Sequence, residues 1–251
     1  MKSREEFREQ ILLQWAEYFG CTVDELSEPV DMVVPKEQED DKGFHIWQIG
    51  KRAFIETDPA YADIISTVVQ CLPKNERFGE AAVRQLIADG AIADATIEDV
   101  TVGMVHFLYP DDLPPAIIAS GYEIRQMNAD DKALQEPLSA ACTPEEVDEG
   151  WVNVADDVAF GALYKGQLAA LASAYPWRGG SLDVGVLTHP KHRRHALGKA
   201  VVREVCAWGL EQGYPVVYRN NTTNHGSHGI AKGLGFEQYF SQISIWLKAI
   251  T

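Results

Sequence analysis

The chain opens with the pattern of an amphipathic helix. Phe7, Ile11, Leu12, Trp15 and Tyr18 recur at helical spacing and share one face. Ser3 and Glu6 stand in capping-box spacing ahead of that face, and Gly20 follows where a left-handed cap belongs. HIWQIGKRAFIE (45–56) alternates around Gly50 and Lys51, the pattern of a hairpin. Asp58 and Pro59 open a second helix carrying Ile64, Ile65, Val68, Val69 and Leu72, which Pro73 stops. A further helix is expected over roughly 79–89, then a strand, DVTVGMVHFLY, ending at Tyr109. The proline-rich PDDLPP (110–115) punctuates the chain and sets a domain boundary there or shortly after.

The pattern becomes more regular beyond that point. YEIRQM (122–127) reads as a strand, with a helical stretch from about Asp130. Thr143 and Pro144 have N-cap and first-turn chemistry for another short helix. VAFGALY (158–164), a turn at Lys165 and Gly166, and QLAALASAY (167–175) form a hairpin, and SLDVGVLT (181–188) is a third consecutive strand. From His195 to Gln212, Leu197, Val201, Val202, Val205, Cys206 and Leu210 line one helical face. VVYRN (216–220), SHGIAKGLG (227–235) and EQYFSQISIWL (237–247) then read as strand, helix and strand. The order is β-α-α-β-β-β-α-β-α-β, without internal repeats or low-complexity tracts.

Composition narrows the function classes. The sequence is 46% hydrophobic and 24% charged, ordinary for a globular protein, and 37 acidic side chains against 22 Lys plus Arg leave a net charge of −15. Such a surface repels phosphate backbones, so neither nucleic acid nor an anionic membrane is an expected partner. Cys21, Cys71, Cys142 and Cys206 form no C-x-x-C pair, which fits free thiols in a reducing compartment. The charged start MKSREEFREQ has no apolar signal core, and no stretch approaches 18 apolar residues. The expected location is cytoplasmic.

Against that acidic background, residues 189–199 hold four Lys/Arg and three of the seven histidines. The cluster falls where a strand ends at Thr188 and a helix begins near His195 or Ala196. A helix start carries unpaired amides and partial positive charge, and the small residues Ala196 and Gly198 invite close approach of a ligand. Together these features make a cradle for a pyrophosphate. The spacing of His189, His192 and His195 suggests a metal, but the adjacent cations would repel a divalent ion, so no metal is expected. A dinucleotide oxidoreductase is excluded because G-x-G-x-x-G is absent and no acidic residue ends the next strand.

Val186 to Ala200 resembles motif A of the GNAT (Gcn5-related N-acetyltransferase) superfamily, with its core at Arg193, Arg194, His195, Ala196, Leu197 and Gly198. Asn221, Asn224 and Ser227, followed by Ile230-Ala231 and Leu234-Gly235-Phe236, resemble motif B. The resemblance implies an α/β (α+β) fold for 122–251: a mixed, mostly antiparallel twisted sheet flanked by helices. It also implies an N-acetyltransferase that moves an acetyl group from acetyl-CoA to a primary amine by direct attack in a ternary complex. Backbone amides from Arg194 through Lys199 would hold the CoA pyrophosphate, with Arg193 opening the motif. The strand at Val186, Leu187 and Thr188 would run beside the pantetheine arm, and Asn221, Asn224 and Ser227 would complete the cofactor site. Asp183 is the candidate base, the alternative being a strand-end carboxylate facing solvent.

The family's frequent acid, a tyrosine, is replaced by Ala231. Tyr239 is therefore the candidate acid, with Tyr218 the other nearby tyrosine and His225 an alternative proton shuttle. Trp177 and Arg178 are candidates to line the acceptor site. Residues 1–115 lack both motifs and are expected to form an N-terminal α+β domain, either a degenerate half-copy or a cap. A homodimer is compatible with the sequence. The alternative to an enzyme is a non-catalytic acyl-CoA-binding sensor or scaffold, motivated by Ala231.

Overall fold

A computed structural model of the chain describes residues 3–28, 30–35, 43–50, 52–71, 84 and 95–249. The Pro73 stop and, apart from Arg84, the helix expected over 79–89 lie outside them. The chain divides into two compact units. The first is Met1–Trp15, His106–Arg219 and His225–Glu237; the second is Ala16–Val105, Asn220–Asn224 and Gln238–Thr251.

The opening helix forms as α1 (Arg4–Phe19). Its capping box is closed: Ser3 N donates to Glu6 Oε2 at 2.7 Å, and Glu6 N donates to Ser3 Oγ at 3.3 Å. Gly20 ends it at φ +69°. The short α2 (Val23–Leu26) follows, capped by Thr22. In the second unit, β2 (Gly43–Ile49) and β3 (Arg52–Thr57) are the expected antiparallel hairpin. β1 (Met32–Pro35) adds parallel to β3, and β10 (Glu237–Ala249) pairs antiparallel with β2. α3 (Ala62–Cys71) contributes Ile65 to a core with Phe44, Ile46, Ala53, Ile55, Ile243 and Ile245. Glu56 of β3 is buried at 2% exposure, and its carboxylate accepts from Tyr18 Oη at 2.9 Å and Trp47 Nε1 at 3.2 Å, which offsets its desolvation. β4 (Ala95–Leu108) runs from the second unit into the first.

In the first unit, β5 (Glu123–Gln126), β6 (Val158–Tyr164), β7 (Gln167–Trp177) and β8 (Ser181–Thr188) pair antiparallel in sequence order. β9 (Val216–Asn221) joins β8 in parallel. Between β5 and β6 stand α4 (Lys132–Ala140) and α5 (Pro144–Gly150), the latter with a complete Thr143–Glu146 capping box. α6 (Leu197–Glu211) links β8 to β9, and α7 (His225–Leu234) links β9 to β10. This is the expected element order. Leu182 and Val184 pack into one core with Val201, Val202, Val205 and Cys206 of α6, while Leu187 joins Leu138 of α4 in a second core. Each of those aliphatic side chains contributes about 1.5–3 kcal/mol when fully buried. Helices therefore cover both faces of the sheet, and the alternation of β8 assigns its odd positions to the α4–α5 face.

Two glycines permit close packing there. A Cβ on Gly185 would sit 2.3 Å from Gly150 O and 2.6 Å from Trp151 O, so only glycine lets the end of α5 rest on β8. A Cβ on Gly198 would meet Thr188 Oγ1 at 3.0 Å and Ile230 Cδ1 at 3.2 Å. The missing side chain of Gly198 thus makes room for β8 and α7.

Candidate active site

The β8–α6 junction differs from a plain strand-to-helix turn. The helix was expected from His195 or Ala196 and begins at Leu197, because Arg194 and Ala196 both adopt left-handed backbone, at φ +65° and +56°. Two such residues without glycine cost roughly 1–2 kcal/mol each. Ala196 occupies the N-cap and has no side-chain oxygen to cap with. Ala200 N is the first amide to reach an intrahelical acceptor, Ala196 O at 3.0 Å, which leaves the amides of Leu197, Gly198 and Lys199 ahead of the helical ladder. An uncapped, positively polarised helix start is what an anion needs.

Beside it lies an open strand edge. β8 and β9 pair only at Leu182↔Val216 and Asp183↔Val217, although β8 continues to Thr188 and β9 to Asn221. From Val184 to Thr188, through Val186 and Leu187, the β9-side edge of β8 has no ladder partner among the described residues and leads to the α6 N-terminus. A cofactor with a diphosphate and an amide-bearing arm fits this combination of uncapped amides and vacant edge.

The charged residues of the loop divide by role. Arg193 Nη2 pairs with Glu146 of α5 at 2.7 Å, and Arg193 Nε reaches Thr188 O at 3.4 Å, so this side chain ties the loop to the sheet. Arg194, His195 and Lys191 are exposed, and Lys199 is half-buried beside Gly233. His192 accepts from or donates to Tyr122 Oη through Nδ1 at 2.9 Å and contacts the rings of Tyr164 and His189. Burial, followed by the neighbouring His189, His195 and Lys191, holds the His192 imidazolium below its ordinary pKa. Among the described residues no group of His, Cys, Asp or Glu converges as a metal site.

Asp183 is buried on the α4–α5 face of β8. Its Oδ2 accepts from Arg219 Nε at 2.7 Å and from Tyr175 Oη at 3.1 Å. Arg219 Nη2 also reaches Oδ2 at 2.6 Å, and the guanidinium lies 4.5 Å above the Trp177 ring. Burial and the Asp183 charge push the Tyr175 phenol up to about 12, so it stays a neutral donor. Trp177 packs edge-on against Trp15 at 5.6 Å. Trp151 stands 6.1 Å from Tyr175, is 63% exposed, and adopts φ +42°.

The motif B residues lie on either side of the unit division. Asn221 ends β9, and its carbonyl accepts from Asn224 N at 3.0 Å. Ser227, in the first turn of α7, hydrogen-bonds the buried Tyr218 hydroxyl, whose pKa burial pushes up to about 12. Ala231 is buried at 2% exposure in the α6 core. His225 is exposed at the start of α7, and Arg178 follows Trp177 in the turn before β8. Tyr239 lies on β10 in the second unit, half-buried, its ring edge-on to Phe240 at 5.7 Å.

Arg219, Tyr175 and Trp151 were missed by sequence reasoning. The signal for Arg219 was present, as a lone charge in the short apolar strand VVYRN. Tyr175 and Trp151 carry no local signal, because only the packing of α5 on β8 places them together. A separate groove of about 730 Å³ on the outer side of α6, lined by Phe7, Pro110, Leu113, Arg203 and Leu210, shares no residue with the loop or the Asp183 face. Among the described residues no helix is long and apolar enough to cross a membrane.

Residues 121–236 match the acetyltransferase (GNAT) family. Among solved structures, the chain is similar to a GCN5-related N-acetyltransferase from Sphaerobacter thermophilus, with 11% identity, a TM-score of 0.54, and 82% of this chain and 76% of that one covered. It is also similar to a GCN5-related N-acetyltransferase from Kribbella flavida, at 19% identity and a TM-score of 0.48, over 67% of this chain and 63% of that one. A tandem GNAT protein from the clavulanic acid biosynthesis pathway gives 20% identity and a TM-score of 0.46, over 65% of this chain and 57% of that one. The chain thus spans less than two thirds of the length of the latter two. No curated protein matches. Residues 121–236 thus carry a domain that matches the acetyltransferase (GNAT) family, and the sheet is mixed, mostly antiparallel and flanked by helices, as in its structural neighbours.

Proposed function

We propose that the chain is an N-acetyltransferase that transfers an acetyl group from acetyl-CoA to a primary amine in a ternary complex. The observation that carries this reading is the uncapped α6 N-terminus beside the unladdered edge of β8. Amides from Arg194 through Lys199 would hold the pyrophosphate. The edge of β8 from Val186 to Thr188 would align the pantetheine arm, and Ser227 of the same unit would bound it on the motif B side. Bound acetyl-CoA supplies the electrophilic thioester carbonyl.

Asp183 would accept the proton that the amine must lose. Tyr175 and Arg219, both bonded to Oδ2, hold that carboxylate in one orientation. A backbone amide of the 186–188 strand would polarise the thioester oxygen as it gains charge. As the carbon–nitrogen bond forms, the carbon–sulfur bond breaks, and the thiolate takes up a proton in place of the one the amine released. Fixing the reactants in this geometry is the chief contribution of the chain.

Calorimetric titration with acetyl-CoA and with CoA, together with thiol release over an amine panel, tests the proposal. Binding with turnover of at least one amine is expected. Absence of acetyl-CoA binding to folded protein overturns the cofactor assignment. Tight binding without turnover of any amine favours the non-catalytic acyl-CoA sensor, the second reading, for which the buried Ala231 at the family's tyrosine position speaks.

A further inference from the structure

The α4–α5 face of β7, β8 and β9 holds a charge pair with one half unused. Arg219 engages Asp183 and Tyr175 through Nε and Nη2, and Nη1 has no partner among the described residues. Only Oδ2 of Asp183 takes hydrogen bonds; Oδ1 accepts none from the described residues. The Arg219 side chain keeps 35% of its surface exposed. A guanidinium edge is therefore exposed, and beside it the Asp183 side chain, with 6% of its surface exposed, has an oxygen without a donor among the described residues, at Asp183↔Val217, the last rung before β8 and β9 part.

Beside this pair stand Trp151 and Tyr175, ring centroids 6.1 Å apart at 32°. A tryptophan in left-handed backbone costs about 1–3 kcal/mol and persists only where its surroundings impose it. Here the packing of Gly150 and Trp151 carbonyls on Gly185 holds the backbone, yet the indole itself stays 63% exposed. The strain thus holds an aromatic surface in solvent next to the charge pair.

Resting on the acetyltransferase reading, we propose that the acceptor is an α-amino acid with an apolar or aromatic side chain. Its amine sits at Asp183 Oδ1, its carboxylate at the Nη1 edge of Arg219, and its side chain against Trp151 and Tyr175. Amine and carboxylate share one carbon in such a substrate, matching the adjacency of an acidic and a basic group in one ion pair. Arg219 acts here as a specificity-determining residue: a guanidinium presents several donors in a fixed fork, so it can hold Asp183 on one edge and a substrate carboxylate on another. In the reaction, the amine loses its proton to Asp183, its nitrogen bonds the acetyl carbon, and CoA leaves and is protonated.

The test compares L-phenylalanine and L-leucine with phenethylamine and isoamylamine, the same skeletons lacking the carboxylate, by thiol release from acetyl-CoA. A charge-assisted contact of this type corresponds to a ~10- to 100-fold preference in kcat/KM for the amino acids. Arg219→Lys keeps a positive charge for Asp183 and loses the second edge, and the preference should fall toward parity. Trp151→Ala, at an exposed position, should raise KM for L-phenylalanine ~10-fold and for glycine by much less, and it remains informative if Arg219→Lys does not fold. Amines turned over as well as amino acids, or an unchanged preference in Arg219→Lys, would overturn the proposal while leaving the transferase reading intact. If no acceptor is turned over although acetyl-CoA binds, a thermal shift with L-phenylalanine and CoA decides. Stabilisation by the amino acid but not by phenethylamine supports the site, and stabilisation by neither sinks it.

Discussion

Gly185→Ala offers the sharpest test of how the acceptor face is built. The added Cβ would lie 2.3 Å from Gly150 O and 2.6 Å from Trp151 O, whereas ordinary contact begins at 3.4 Å. Both obstacles are backbone atoms and cannot rotate away, so the end of α5 must retreat by about 1 Å. Overpacking of a tight site costs about 1–3 kcal/mol, and two backbone collisions place this one near the upper end. For a chain of this size each kcal/mol lowers Tm by about 2–4 °C, so a fall of roughly 6–12 °C is expected. Gly229→Ala is the matched control. No atom lies within 4 Å of its added Cβ, and Gly229 sits inside α7, so the helical gain of about 0.5–1 kcal/mol should raise Tm by about 1–4 °C. Calorimetric melting of both variants is the assay. Should Gly185→Ala melt within ~2 °C of the wild type, the close packing of α5 on β8 is wrong, and with it the placement of Trp151.

Other outcomes can be checked independently. Ala196→Gly should stabilise the protein by about 1 kcal/mol, because it relieves a left-handed alanine, and should leave acetyl-CoA affinity intact by calorimetry. Ala196→Asp should instead weaken acetyl-CoA binding by about 1–3 kcal/mol, since a capping carboxylate occupies the amides offered to the pyrophosphate; undiminished affinity would remove them from the cofactor site. His106 is buried, and burial, partly opposed by the Tyr218 carbonyl and reinforced by His228, holds its pKa below the ordinary 6.5. The unfolded chain then binds the proton more readily, so the associated stability is complete well above pH 6.5 and is lost as pH falls through 6.5 toward the folded pKa. His106→Asn should flatten the dependence of Tm on pH over that window, and an unchanged slope refutes the assignment. Burial pushes the Cys206 thiol far above its usual range, so Cys206 should resist thiol reagents in the native state, as mass spectrometry of labelled protein would show.

Local chemistry made much of this fold legible. The capping box at Ser3, the N-cap at Thr143, the Lys165–Gly166 turn and the apolar stripe of Leu197, Val201, Val202 and Val205 each specify structure over a few neighbouring residues, and each appears as expected. The basic strand-to-helix junction was equally visible, because a cluster of cations in a chain of net charge −15 is a statement about composition. Tertiary structure alone decided the rest. That Arg194 and Ala196 take left-handed backbone, that Gly198 serves packing, and that Asp183 meets Arg219 and Tyr175 all depend on groups brought together from separate elements. The sequence determined the order and approximate extent of the helices and strands because those signals act through adjacent backbone atoms. It could not determine which side chains share a face across β7, β8 and β9, because register and the packing of α5 set those neighbours through contacts distant in the chain.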